Sequence, residues 1–407
     1  MNGTLKKHLP HSGLTPWIAI PLLLALTGCE KQAAVVGAVL PLSGPDAAVG
    51  EAAQRGLEAS FATLEGTPIE LQIVDSKSDP RAAADAAASL IDQGAVALIG
   101  GVTPTEARSL ADAVSPRERV LILTSASEQR LSRDSKWVYR LAAADGEAGA
   151  TFATFGARRL KAKTAAILAT DAEYAQAVET GFKPTFASLD GELVGSFEAD
   201  AESLGAGAAE VLALSPDLTV LSGDAAWQQA AADRLREDGY RGHLFATRHV
   251  AHPGLVDALA PVKDVLFAHS GFDPATASDG AQSFLDGYQA HHGGEPAPVT
   301  AQIAAEAWDA VQVLDLALRD RPTMASEIRR GLRDRIKSYP GASGSLEFDD
   351  TGAVTAFPRV YSLTADGELR DHGAFLDEKE RRIAEERRAL KEKLQNLQSQ
   401  MSSSAGG

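Results

Sequence analysis

At 407 residues the chain is too long for one compact core and long enough for two domains of ordinary size. Hydrophobic residues make up 44% and charged residues 23%, the balance of a globular protein. The net charge is −16, or −18 once the first 28 residues, which hold Lys6 and Lys7 and no acid, are removed. An acidic surface of that size repels phosphate backbones and anionic lipid, which argues against nucleic acid as a partner.

The N-terminus carries Lys6 and Lys7, then an apolar stretch from Trp17 to Leu26, then Leu26-Thr27-Gly28-Cys29. The apolar stretch is too short to span a bilayer and has the layout of a signal peptide. The last four of these residues look like a bacterial lipobox. That implies residues 1–28 as a cleaved signal peptide, a lipid on Cys29, and a tether over 29–33. Each buried acyl CH₂ contributes roughly 0.8 kcal/mol, so a multiply acylated cysteine holds the chain at a membrane. Glu30 follows, where an aspartate commonly marks inner-membrane retention; this leans towards the outer membrane. Cys29 is the sole cysteine, which leaves no intramolecular disulfide. No later stretch reaches the roughly 18 apolar residues of a transmembrane helix, so the reading is an anchored periplasmic protein and not a spanning one.

From there apolar runs of strand length alternate with alanine-rich segments of helical spacing. Strands are expected at Val35–Leu40, Ile69–Val74, Val96–Ile99 and Val120–Leu123, with helices at Glu51–Leu64, Arg81–Gln93 and Thr105–Val114. The cycle restarts with strands at Ala165–Leu168, Leu193–Phe197, Leu218–Leu221, His243–Ala246 and Val265–Ala268. Helices are expected near Gly146–Leu160, Tyr174–Leu189, Ser203–Leu214, Ala225–Asp238 and Gly254–Leu259. Continuous apolar strands followed by amphipathic helices mark parallel βα units covered on both faces. Two consecutive runs imply an α/β chain of two doubly wound, Rossmann-like lobes. Three further helices follow, about Asp279–His291, Thr300–Arg319 and Met324–Ile336, then a strand and turn over Gly341–Gly352 and a strand near Arg359–Leu363. The segment 375–401 is a charged helix with Leu376, Ile383, Leu390 and Leu397 seven apart and Glu380 and Arg387 in the intervening seam positions. Half a coiled-coil seam fits a solvated helix and an oligomer or partner contact equally well.

Enzyme signatures are missing: there is no Gly-x-Ser-x-Gly elbow and no phosphate-cradling Gly-x-x-x-x-Gly-Lys-Ser/Thr loop. His243, His249 and His252 are not accompanied by cysteine, and no metal or other cofactor is expected. What remains are small polar loops at the carboxyl ends of parallel strands, where open α/β sheets bind ligands. They are Pro41-Leu42-Ser43-Gly44-Pro45, Gly100-Gly101-Val102-Thr103-Pro104-Thr105 and Thr124-Ser125-Ala126-Ser127. Helix N-termini just beyond would favour an anionic group, although Ser and Thr at such places also serve simply as caps.

In order and spacing these loops, with Gly50, Gly56, Leu131, Asp171, Tyr174 and Phe348-Asp349-Asp350-Thr351-Gly352, resemble the type I periplasmic binding proteins. Within that group the chain resembles the branched-chain-amino-acid receptors of ABC transporters, over about residues 34–370. The resemblance implies a two-lobed, hinged fold closing on a small ligand, and an ABC permease as partner. Three crossings are placed near Ala144–Asp145, Ser270–Gly271 and Ala356–Phe357. Lobe 1 is then 34–144 plus 271–356, and lobe 2 is 145–270 plus 357–370. Carried over residue by residue, the pocket would use Ser125, Ala126 and Ser127 for hydrogen bonds and Tyr174 to cover one face. The family's amino-acid binders have tyrosines where Val49 stands and near Ala225, and a hydroxyl where Pro104 stands beside Thr103. Their acid for the ligand ammonium falls on Thr247-Arg248-His249-Val250. An ammonium buried without a carboxylate is strongly disfavoured, so a neutral or anionic ligand meeting Arg248 or His249 is expected. A different reading takes the chain as an envelope lipoprotein holding a protein partner, similar in fold to the outer-membrane activators of penicillin-binding proteins.

Overall fold

The computed structural model describes residues 33–64, 69–246, 265–269, 272, 278–297, 299–320, 324–355, 358–363 and 369–404. Cys29 and its signal segment, the helix expected at Gly254–Leu259, Arg248 and His249, and the crossings expected at Ser270–Gly271 and Ala356–Phe357 lie outside the described residues.

The first sheet is formed by β1 (Ala34–Leu40), β2 (Ile69–Asp75), β3 (Ala97–Gly100), β4 (Val120–Leu123) and β5 (Val138–Arg140) in the order β2-β1-β3-β4-β5. All four pairings are parallel. Parallel neighbours require crossovers, and helices α1 (Ala47–Ala62), α2 (Pro80–Asp92) and α3 (Pro104–Val114) supply them, with the short α4 (Gln129–Arg133) before β5. The starts of α2 and α3 are set by the same device. Asp79 and Thr103 cap the first turn, and Pro80 and Pro104 follow where a missing N–H costs nothing.

The second sheet runs β14-β13-β10-β9-β8-β6-β7. Strands β6 (Thr164–Ala169), β7 (Glu192–Glu198), β8 (Leu218–Ser222), β9 (His243–Ala246) and β10 (Val265–His269) are parallel. β13 (Arg359–Leu363) and β14 (Leu369–Asp371) close the far edge antiparallel. Helices α5 (Asp145–Phe155), α6 (Ala172–Ala187), α7 (Leu204–Leu214) and α8 (Ala225–Glu237) serve this lobe. α5 and α6 lie close because Gly146, Gly149 and Gly181 meet at their crossing, where a Cβ on Gly181 would strike the Gly146 carbonyl.

The chain then contributes α9 (Asp279–His292), α10 (Ala301–Leu318) and α11 (Ala325–Arg335) to the first lobe. Ala307, Val311, Leu314, Ile328 and Leu332 share one core with Val36, Ile99 and Ile122. The strand and turn expected over 341–352 prove to be a hairpin, β11 (Tyr339–Gly341) and β12 (Gly344–Leu346), followed by a separate turn closed on Asp349. β5 and β14 were not foreseen. Each is three residues long and too short for periodicity to register.

At the expected first crossing, Ala144 N donates to the Glu147 carboxylate at 2.7 Å and α5 begins at Asp145. The backbone of Arg140 is tied to the segment leading to the third: its N–H donates to Gly352 O at 2.9 Å and its carbonyl accepts from Val354 N at 3.0 Å. The charged tail is one helix, α12 (His372–Ser404). It is fixed to the second lobe at its start, where Asp377 pairs with Arg159 at 2.6 Å and Arg370 lies 3.9 Å over the Phe375 ring. From Asp377 to Gln395 every residue is exposed, Ile383, Leu390 and Leu394 included. Leu376 is half-buried at the start of the helix, while Ile383 and Leu390 of the half-seam are exposed. No helix among the described residues is long and apolar enough to cross a membrane.

Candidate functional site

The carboxyl ends of both sheets carry the polar loops, and the side chains there divide into those used to hold the loops and those left for a ligand. In the first lobe most are used. Asp75, at the end of β2, accepts from Leu42 N at 2.9 Å, Ser43 N at 3.1 Å, Ser43 Oγ at 2.7 Å and Lys77 N at 2.7 Å. Burial works to raise its pKa, but the Ser43 hydroxyl and these N–H groups outweigh it and hold the carboxyl below its ordinary value. Glu106, on α3, accepts from Ser76 Oγ at 2.7 Å and from Val102 N at 3.1 Å, tying the loops after β2 and β3 together. Burial pushes Glu106 up to about 7 against these donors.

The loop after β4 is anchored from beneath. Ser125 Oγ donates to Glu306 Oε2 at 2.5 Å, Gln302 Nε2 donates to Glu306 Oε1 at 3.0 Å, and Phe272 N donates to Gln302 Oε1 at 2.7 Å. One turn along α10, Asp309 accepts from Ala342 N, Ser343 N and Ser343 Oγ at 2.6–2.8 Å. Burial pushes it up to about 7.

These bonds decide where the expected site residues stand. Val49 lies on α1 with its side chain in the first-lobe core, and Ala126 is wholly buried among Leu98, Leu123 and Val138. The Thr103 hydroxyl accepts from Glu106 N at 3.4 Å as a helix cap, and Pro104 is the first residue of α3. Ser125 is committed to Glu306. Ser127 is buried directly after Ala126, where the loop leads on to Glu128. Tyr174 stands on α6 of the second lobe, half-buried against that lobe's core. Ala225 opens α8; Arg248 and His249 are outside the described residues.

The two lobes meet through ion pairs that the sequence reading missed. Arg108 on α3 pairs with Glu128 at 2.6 Å and reaches Glu173 of the second lobe at 3.6 Å. Arg130 reaches the same Glu173 at 3.5 Å. Burial pushes the Tyr174 hydroxyl up to about 12; Arg108 pulls it back, while Asp145, Asp224 and Asp171 push it further. A first-lobe guanidinium and three second-lobe carboxylates thus act on one phenol. Asp171 and Asp224 also cap α6 and α8. The Thr170 hydroxyl, at the end of β6, is buried without a hydrogen-bond partner among the described residues and beside Gly223. Arg108 sits a turn inside α3, past the loop that the sequence pattern points to, and Glu173 lies in the first turn of α6, beside Tyr174. For a metal, the ligand atoms of Glu58, His291 and His292 come within 4.8 Å of one another, at the far half of α1 from Val49.

Two doubly wound sheets run through the described residues, and the profile of the periplasmic binding protein family matches residues 34–367. The chain belongs to the periplasmic binding proteins. Among solved structures, this binding protein is similar to a leucine-binding protein from Thermotoga maritima, with a TM-score of 0.73 at 23% identity over 83% of this chain and 97% of that one. It is also similar to a branched-chain amino-acid transporter substrate-binding protein from Streptococcus pneumoniae in complex with isoleucine, at a TM-score of 0.69 and 21% identity over 83% and 98%. An ABC-transporter solute-binding protein from R. palustris in complex with benzoate gives 0.67 and 21% over 84% and 95%. At these identities the likeness is one of fold. By sequence, the Leu/Ile/Val-binding protein homolog 3 of Brucella melitensis is 24% identical over 155 residues, and the match spans 36% of this chain and 42% of that protein.

The raised Glu106 carboxyl gives a pH dependence with a definite sign. A carboxyl whose folded pKa of about 7 exceeds its ordinary 4.5 favours folding below about pH 4.5, and that advantage is lost as pH rises to 7. On the order of 3 kcal/mol is at stake, at about 1.4 kcal/mol per pKa unit. Chemical denaturation of wild type and Glu106→Gln between pH 4.5 and 8 should show the wild type losing stability relative to the variant across that window. Parallel curves would mean that Glu106 titrates normally.

Proposed function

We propose that this periplasmic binding protein is the solute receptor of an ABC uptake system, held at the envelope by a lipid on Cys29. It closes its lobes on a small solute that is neutral or anionic and not a zwitterionic amino acid. The observation that supports the reading is the meeting of the lobes at Arg108, to which the second lobe brings Glu173 and Tyr174. On the first lobe the loops beside it are held by Asp75, Glu106 and Glu306. A wall held by internal hydrogen bonds is ready for a ligand without further ordering, which lowers the cost of binding. Ser127 remains to donate to the solute, and Arg108 offers a cation already half-neutralised by Glu128.

The ligand class follows from charge. The stretch on which the family's ammonium-binding acid falls is Thr247-Arg248-His249-Val250, with no carboxylate. The R. palustris neighbour is described with benzoate, a carboxylate that has no ammonium, so the fold accommodates such ligands. Calorimetry against free leucine, isoleucine and valine, their deaminated acids and their amides tests the assignment. Amino acids should bind worse than about 1 mM, weaker than about −4 kcal/mol, and at least one neutral or anionic compound should bind better. Micromolar binding of a zwitterionic amino acid would overturn it and would assign the ammonium to Asp145, Asp171 or Asp224.

The anchor is tested separately. Labelled fatty acid should enter the wild-type protein and be absent from Cys29→Ser, which should be released from the membrane fraction. Equal labelling of both proteins would remove the anchor from the account.

A further inference from the structure

A second pocket, of about 460 Å³, opens beside β5 on the first lobe and shares no residue with the cleft. Its wall carries Arg133, the last residue of α4, Lys136, from the segment between α4 and β5, and Arg329, Arg330 and Arg333 of α11. Glu327, Asp349 and Asp350 also line it. The lining gathers five cations and three carboxylates on a chain whose net charge is −16, with Asp134 and Asp334 beside Arg133 and Arg333. The Asp349 carboxylate is already engaged, accepting from Thr351 N, Thr351 Oγ1 and Ala353 N at 2.7–3.0 Å.

Two polar atoms of this wall have no partner. Ser132, only 2% exposed, has an Oγ without a hydrogen bond among the described residues, and the Arg329 Nε is buried in the same condition. A buried donor left unmade costs the full desolvation of the group, so such atoms are rare unless something supplies the acceptor. Arg329 is held in place on both sides: its guanidinium lies 5.2 Å from the Trp137 ring centre and interacts with the Tyr139 hydroxyl. The remaining arginines are available. Arg133 pairs with Asp134 at 3.1 Å, Arg333 with Asp334 at 2.9 Å and Arg330 with Glu327 at 3.9 Å, all between exposed side chains that exchange partners at little cost.

We propose that this pocket is a binding site for a phosphate group on a small molecule. A tetrahedral oxyanion has enough acceptor oxygens to meet the Ser132 hydroxyl, the Arg329 Nε–H and at least one further guanidinium fork at once, which a single carboxylate does not. Arginine, more than lysine, suits this geometry. The occupant is compact, because an extended polyanion would meet the negative field of the surrounding surface.

Titration of inorganic phosphate and of glycerol phosphate into the full-length protein at low salt, followed by calorimetry, tests the site. Sedimentation with phosphatidylglycerol vesicles forms a third arm. Binding in either soluble arm assigns a free phosphate or phosphate ester; binding to vesicles alone assigns a lipid headgroup. In each case Ser132→Ala and Arg329→Met should weaken binding at least tenfold. Arg333→Met should weaken it several-fold and flatten its salt dependence; Arg333 is exposed, so this variant keeps the test valid if Arg329→Met fails to fold. No binding in any arm, or equal binding by wild type and all three variants, would overturn the proposal.

Discussion

The backbone of Arg140 is the tie on which the arrangement of the binding protein depends. Strand β5 ends there, its N–H and carbonyl are bonded to Gly352 and Val354, and the chain enters the second lobe four residues later. The segment that leads to the last strands of the second lobe is thereby laid beside the segment that first leaves the first lobe. Two backbone hydrogen bonds join these segments. Parallel strands do the rest. Every crossover delivers its loop to the same end of its sheet, so the strand ends on both sides of the cleft carry the polar residues.

The first lobe spends its polar groups differently from the second. Asp75 at the end of β2, Glu106 on α3 and Glu306 on α10 accept from backbone N–H groups and hydroxyls of the strand-end loops, Ser76 and Ser125 among them from far along the chain. Bonds that reach across the sequence in this way hold the loops more firmly than their small residues alone would. In the second lobe the acids Asp171 and Asp224 serve as helix caps, and Glu173 and Tyr174 come up to Arg108 of the first. The cross-cleft pairs of Glu173 with Arg108 and Arg130 lie between partly exposed side chains and are worth little each.

The architecture was legible because strands buried on both faces are continuously apolar. Val120–Leu123 and His243–Ala246 stand where the sequence pattern puts them. β5 was not legible: it is three residues long, and its last residue is an arginine whose burial nothing in the sequence announces. The site was harder to read for a related reason. Hydroxyl-rich loops at strand ends look the same whether they serve a ligand or the fold, and the difference lies in partners far away along the chain. Ser125 finds Glu306 on α10, and Ser43 finds Asp75 at the end of β2. Arg108 escaped for the opposite reason: it stands in the second turn of an ordinary amphipathic helix, and its importance comes from Glu173, which reaches it from the other lobe.

The central claim is that the two lobes close on a solute, and a distance between them reads this directly. With Cys29 replaced by serine, the sole cysteine is gone, and new cysteines at the exposed positions Asp85 on α2 and Lys183 on α6 can carry one spin label on each lobe. The distance distribution, measured by pulsed electron resonance before and after saturation with the solute that binds best, should shift and narrow to a single population. A distribution that stays the same with the solute bound would contradict closure.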